Sequence, residues 1–353
     1  MPDLRQPLTL ARQAMATRFE IALNGDNPVS LRAAGEEAFD EIERIEARLS
    51  LYRPTSEIAH VNARAAREPV RVSPDTFRLL EQAARLSAET GGAFDITIGP
   101  LMRCWGFVDG AGQVPTPEAL AEAREKAGMR LVELDASRST VRFAREGVML
   151  DLGAIGKGYA VGIAAELLRE AGVTSALIHG GTSSVYAIGH PPEAGAWKIA
   201  IERPHESRTG FQPVPGASSP SRLRGQDARG DSLEGRPTAE EQEAIGTLLA
   251  VIPLRDEALS VSAVWGKFFE KGGRDYGHVI DPRTGQPTDS ALLAAVALPD
   301  ATETDALSTA LLTLGGAGVN VISRLRPQGR VLAAWSRGDE LEFGSCGIDI
   351  AAR

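Results

Sequence analysis

Cysteine is almost missing from this chain: Cys104 and Cys346 are the only two in 353 residues. That is too few for a disulfide framework, and the pair lacks the spacing of a zinc site, so both read as ordinary thiols. No run of about 18 apolar residues occurs, which excludes a membrane-spanning helix. The opening stretch MPDLRQPLTLARQAMATRFE has neither the apolar centre of an export signal nor a lipoprotein-type cysteine. As written, the chain is expected in the cytoplasm; a misassigned start codon would instead make it periplasmic or membrane-attached. Long basic runs are missing too. With 38 Lys and Arg against 47 Asp and Glu the net charge is -9, which argues against a nucleic-acid surface and for small molecules or proteins as partners.

Both standard phosphate fingerprints are also absent. The stretch that invites them is LDLGAIGKGYAVGIAAELLREAGV, Leu150 to Val173. A P-loop needs a glycine where Asp151 stands and Ser or Thr where Gly158 stands, and the dinucleotide fingerprint needs G-x-G-x-x-G rather than G-x-x-G-x-G. What is present is an acidic residue closing an apolar segment, three glycines that let backbone come close, a lysine, and a helix expected to begin near Tyr159. The positive end of that helix beside a glycine-rich turn suits an anion, most often a phosphate. A glycine-rich strand-to-helix turn with a solvated lysine is the plainer alternative.

At 43% hydrophobic residues, the chain can bury the core of one large domain or two smaller ones. Phe19, Ile21 and Leu23 alternate as a strand with one buried face, and an amphipathic helix is expected from about Ser30 to Leu49. It leads to LSLYRPTSEIAHVN, a loop in which Asn62 can anchor the end and Tyr52 reads more readily as a packed core edge than as a ligand contact. Ser73 before Pro74 caps a helix ending at Thr90-Gly91-Gly92. In GGAFDITIGPLMRCWGF, Asp95 sits among Ala93, Phe94, Ile96 and Ile98, so it must be a hydrogen-bond hub or a ligand contact. A charged surface helix is expected from Pro117 to Gly128, and strands near Thr140 to Phe143 and Gly147 to Leu152.

Beyond the glycine-rich stretch, SALIHGGTSSVYAIG reads as strand, Gly180-Gly181 turn and strand, with hydroxyls at Thr182, Ser183 and Ser184. Residues 1–204 and 246–353 are expected to form one catalytic unit. The interval 205–245 turns abruptly rich in Pro, Gly, Ser, Arg and Gln and reads as a disordered, low-complexity insertion. Then YGHVIDPRTGQP carries His278 beside a turn with Asp281, placed to be tuned by its surroundings although a lone histidine is more often scaffold. In ATETDALSTALLTLGG, Asp305 and Thr309 are four apart and share a helix face. A carboxylate and a hydroxyl so placed can complete an oxygen site for a hard cation such as Mg²⁺, the alternative being a first-turn aspartate with a helix-facing threonine.

Taken in order, MATRFE, LSLYRPTSEI, GGAFDITIGPLMRCWGF, DLGAIGKGYAV, GHVIDPRTGQP and TDALSTALLTLG resemble the ApbE family, the FAD:protein FMN transferases. The resemblance runs from Met15 to Gly315 apart from the insertion. It implies an α+β fold, two lobes built on mixed, largely antiparallel sheet, with FAD in the cleft between them. It puts FAD contacts on Met15, Tyr52, Ala93, Phe94, Asp95, Asp151 and Lys157, and flavin contacts on Gly180, Gly181 and His278. Mg²⁺ would be held by the Ala154 carbonyl, Asp305 and Thr309. His278 would deprotonate the acceptor hydroxyl or position the flavin, and Lys157 would neutralise the pyrophosphate. The implied activity is transfer of FMN from FAD to a Ser or Thr of an acceptor protein, releasing AMP. Hydrolysis of FAD to FMN and AMP, or binding of FAD without catalysis, are the alternatives. The chain departs from many relatives at Ser262-Ala263-Val264, where T-S-G is common, at His179, where Asn is common, and at Thr182, where an acidic residue is common.

Overall fold

The structure, a computed structural model, describes residues 7–108, 110, 112–204, 248–266, 268–338 and 340–351. The expected insertion therefore lies outside the described residues. In chain order the strands are β1 (Leu8–Ala14), β2 (Thr17–Asn24), β3 (Val70–Arg71), β4 (Val132–Asp135), β5 (Thr140–Phe143), β6 (Ser175–Gly180), β7 (Ser184–Ile188), β8 (Trp197–Glu202), β9 (Leu248–Leu254), β10 (Glu257–Ala263), β11 (Phe268–Lys271), β12 (Arg274–Gly277), β13 (Leu293–Leu298), β14 (Arg330–Arg337) and β15 (Glu340–Cys346). The helices are α1 (Pro28–Leu49), α2 (Glu57–Arg64), α3 (Pro74–Glu89), α4 (Gly99–Cys104), α5 (Pro117–Glu125), α6 (Gly156–Glu170), α7 (Ala301–Leu314) and α8 (Gly316–Leu325).

An eight-stranded sheet in the order β1-β2-β6-β7-β10-β13-β14-β15 is the frame. All its neighbours pair antiparallel, which fits the expected α+β class. Alternation decides its two faces. Ala176 and Ile178 of β6 with Ala294, Val296 and Leu298 of β13 face a core shared with α1, α6 and α7. Leu177, Leu293, Ala295 and Ala297 face the other way, against Trp197, Ile199, Ile201, Leu249 and Ile252 of the separate β8–β9 pair. A smaller core under α4 and α5 gathers Leu101, Trp105 and Ile280 with Phe269 and Tyr276 of the β11–β12 hairpin.

Local signals act where the sequence placed them. Ser73 accepts from the Thr76 amide at the start of α3, with Pro74 in the first turn, and Asn27 caps α1 through the amides of Val29 and Ser30. Two expectations are corrected. The segment from Gly147 to Leu152 is not a strand: Gly147 lies in a turn at φ 86° and the residues after it take no regular secondary structure. Its polar backbone groups are met by a side chain and by a helical segment instead: Asn62 receives the Leu150 amide at 2.7 Å and donates to the Leu150 carbonyl at 2.9 Å, while the Asp151 amide donates to the Ile96 carbonyl at 2.7 Å. Helix α6 starts at Gly156, three residues before the expected Tyr159. Lys157 and Gly158 are thus in its first turn, and the N-cap residue, Ile155, makes no side-chain cap.

Candidate active site

Gly158 is where the site is assembled. A Cβ at this position would stand 2.2 Å from the Ala301 carbonyl and 2.6 Å from Asp305 Cβ, so only glycine lets the start of α6 cross α7 this closely. The crossing lets the Gly158 amide donate to Asp305 Oδ2 at 2.9 Å. The other carboxylate oxygen accepts from Ser184 Oγ at 3.4 Å, at the first residue of β7. Asp305 is 4% exposed. Burial pushes its carboxyl above the usual carboxylate range, against the opposing pull of the Lys157 charge and of these two donors. Lys157 Nζ reaches back to the Gly153 carbonyl at 3.5 Å, and the Gly153 amide donates to Asp151 Oδ1 at 2.8 Å.

One turn along α7, Thr309 Oγ1 donates to the Asp305 carbonyl at 3.4 Å and lies 3.3 Å from Ser262 Oγ of β10. Asp305 and Thr309 offer hard oxygen donors, the same kind as the Ala154 carbonyl that the resemblance puts beside them. Among the described residues there is no group of three or more His, Cys, Asp or Glu side chains that could hold a metal, so a cation here would depend on hydroxyl and carbonyl oxygens beside a single carboxylate. A buried carboxylate whose hydrogen bonds come from one amide and one hydroxyl, with the Lys157 charge at a distance, fits an oxygen-seeking cation that would add positive charge beside it.

The hairpin β1–β2 turns through Met15 and Ala16, both at positive φ (49° and 58°) without being glycine. A two-residue turn of this kind matches strand twist but strains an L-residue. Its strand pairs Phe19 with Gly180, and at Gly181 (φ 67°) a Cβ would meet Thr17 Oγ1 at 2.5 Å. Met15 and the glycine pair therefore share one corner, the end of the sheet from which Ser184 reaches Asp305.

Asp95 has all of its carboxylate occupied by the protein. Oδ1 accepts from the Thr97 amide (2.8 Å) and hydroxyl (2.6 Å), and Oδ2 from the Met129 amide (3.0 Å) and Ser87 (3.3 Å). That makes it a hub. Ala93 and Phe94, each 1% exposed, give their side chains to the core, and the Ala93 carbonyl accepts from Thr313 of α7 at 2.9 Å. Asp281 is likewise held, by a two-pronged pair with Arg283 at 2.8 and 2.7 Å. Arg283 also donates to the Thr313 carbonyl at 3.2 Å, tying the turn after His278 to the C-terminal end of α7. Tyr52 is 66% exposed; the core-edge expectation fails because the loop carries its ring out of the core.

His278 follows directly on β12. A Cβ on Gly266 would sit 2.6 Å from its Cε1, so the glycine leaves the space the imidazole fills. Sequence reasoning passed over Gly266, and also Ser308, whose hydroxyl is fully buried between Asp305 and Ser262. The S-T pair inside DALSTA was the available signal. His179 on β6 is kept neutral by burial, its pKa pushed down to about 4. Two surface cavities, about 320 Å³ beside His60 and Arg64 and about 700 Å³ beside Arg169 and Asp256, include none of the residues expected at FAD.

The pattern that defines the ApbE family matches residues 15–332. The chain belongs to the ApbE family. It is 30% identical to the FAD:protein FMN transferase of Haemophilus influenzae over 318 residues, 87% of this chain and 81% of that protein. To the FAD:protein FMN transferase of Treponema pallidum it is 31% identical over 320 residues, 86% and 78% of the two chains. The flavinyl transferase ApbE of Pseudomonas stutzeri, crystallised in apo form, shares the fold at a TM-score of 0.76 with 25% identity, covering 98% of this chain and 96% of that one. The ApbE protein of Thermotoga maritima does so at 0.75 with 26% identity, covering 96% of each. Within this ApbE chain, none of the described helices is long and apolar enough to cross a membrane.

Proposed function

We propose that this protein transfers FMN from FAD to a Ser or Thr hydroxyl of an acceptor protein, with Mg²⁺ held by Asp305, Thr309 and the Ala154 carbonyl. Flavin transfer is the activity of a FAD:protein FMN transferase, and the observation that carries it to this chain is the Gly158–Asp305 contact. It brings the start of α6, which has no cap from its own N-cap residue, Lys157 and a buried carboxylate to one point. A pyrophosphate brings at least two negative charges, and the positive helix end with Lys157 is the complementary half of such a site.

In the reaction, the acceptor oxygen forms a bond to the phosphorus on the riboflavin side of FAD. The bond from that phosphorus to the bridging oxygen breaks, and AMP departs with the electron pair. The acceptor proton goes to a base, for which His278 is our assignment. Lys157 offsets charge on the phosphoryl oxygens, and Mg²⁺ when bound would supply Lewis-acid polarisation of them. Trp265 and Phe268, 42% and 45% exposed on the segment that carries Gly266, leave apolar surface near His278 for a protein acceptor.

The test is incubation of the purified protein with FAD, Mg²⁺ and candidate acceptors from its genome neighbourhood, read by mass spectrometry. An FMN adduct on Ser or Thr with matching AMP release is expected. AMP released at the same rate without any acceptor would point to hydrolysis, and tight FAD binding without AMP would rule out both reactions.

A further inference from the structure

The hydroxyls between β10 and α7 are arranged so that the protons of Ser308 and Ser262 can be assigned and that of Thr309 has two acceptors. Ser308 Oγ donates to the Asp305 carbonyl at 2.9 Å, so its only proton is committed and it can otherwise only accept. Ser262 Oγ stands 2.8 Å from Ser308 Oγ; the proton in that contact must therefore come from Ser262. With its proton spent, Ser262 faces Thr309 Oγ1, 3.3 Å away, with lone pairs alone. The Thr309 proton then points to Ser262 Oγ or to the Asp305 carbonyl 3.4 Å away. In both arrangements it is held within the β10–α7 contact, and Thr309 Oγ1 keeps a lone pair free.

We propose that Ser262 is a positioning residue that turns the Thr309 hydroxyl so that its oxygen, not its proton, is offered to a divalent cation beside Asp305. The proposal rests on the reading that Asp305, Thr309 and the Ala154 carbonyl form an Mg²⁺ site. It gives the first position of Ser262-Ala263-Val264 a role that only a hydroxyl performs. Ala263 and Val264 have no part in it.

The experiment uses Mn²⁺ as the probe, titrated into the full-length protein without FAD and followed by the electron paramagnetic resonance signal of the free ion. Ser262→Ala should weaken Mn²⁺ binding by about tenfold, as loss of an outer partner of a metal ligand does. Ser262→Thr, which keeps the hydroxyl, should restore it to within about threefold of the parent. Melting temperatures of all three proteins separate this from a packing defect, which would lower the melting temperature and leave Mn²⁺ affinity alone. Equal Mn²⁺ affinity in Ser262→Ala and the parent overturns the proposal, as does a threonine variant that binds no better than alanine. Failure of the parent itself to bind Mn²⁺ overturns the metal reading, and this inference with it.

Discussion

The amide of Gly158 and the carboxylate of Asp305 meet at 2.9 Å although 147 residues separate them in the chain. The contact exists because position 158 has no side chain. Gly158→Ala would force its Cβ against the Ala301 carbonyl, at a cost of about 1–3 kcal/mol in stability. It should also lower transfer at least about tenfold by displacing a group at the reacting centre. Gly156→Ala is the control: nothing lies within 4 Å of that Cβ, and alanine in a first helical turn should stabilise by up to about 1 kcal/mol. Urea unfolding and FAD consumption on both variants check the pair.

Asp305→Ala should abolish transfer, with a loss of about 100-fold or more. A calorimetric readout is independent of activity. Mg²⁺ at 100 times its dissociation constant should stabilise the parent by about 2.7 kcal/mol, and this gain should vanish in the variant. A variant that keeps it would show that the ion binds elsewhere.

Gly266→Ala tests the space under His278. A methyl 2.6 Å from Cε1 must move the imidazole, and a displacement of that size in a base should lower kcat about 10- to 100-fold. FAD affinity, measured by flavin fluorescence quenching, should change little. Equal losses in kcat and affinity would mean that the glycine serves FAD binding instead.

His179 predicts a pH dependence of stability. Its pKa is pushed from 6.5 to about 4 by burial, so the unfolded chain binds the proton more readily than the native one. Its contribution is complete above about pH 6.5 and is lost as pH falls toward 4. Between pH 7 and pH 4.5, the parent should lose about 2–3 kcal/mol more than His179→Asn. Urea unfolding of both proteins at the two pH values measures this, and parallel losses would contradict it.

Much of the scaffold could be read from local pattern. The alternation of Phe19, Ile21 and Leu23 is a half-buried strand, and Ser73-Pro74 is a helix start. The four-residue spacing of Asp305 and Thr309 places both on α7, within reach of one site. What escaped depends on partners far along the chain. Gly147 to Leu152 has the composition of a strand, yet the partner that satisfies Leu150 is the side chain of Asn62, 88 residues earlier. Gly158 reads as a turn glycine until α7 is packed on it, because helix periodicity carries no information about how closely a second helix crosses. Ser262 and Ser308 likewise sit on a strand and a helix of ordinary pattern, and their hydroxyls acquire a direction only once those elements touch.

The pairing of β8 with β9 fixes what the chain between them can cost. Glu202 pairs with Leu248, and Arg203 Nε donates to the Leu248 carbonyl at 3.0 Å, so the chain leaves at residue 204 and returns at 248 between strands already joined side by side. In polymer terms the two ends are brought together by the strand pairing itself, and for any flexible connection between such ends the entropy of closure grows only with the logarithm of its length. Because the two ends are held by their own pairing, the β8–β9 junction is a place where the chain should tolerate being shortened or fused to another domain.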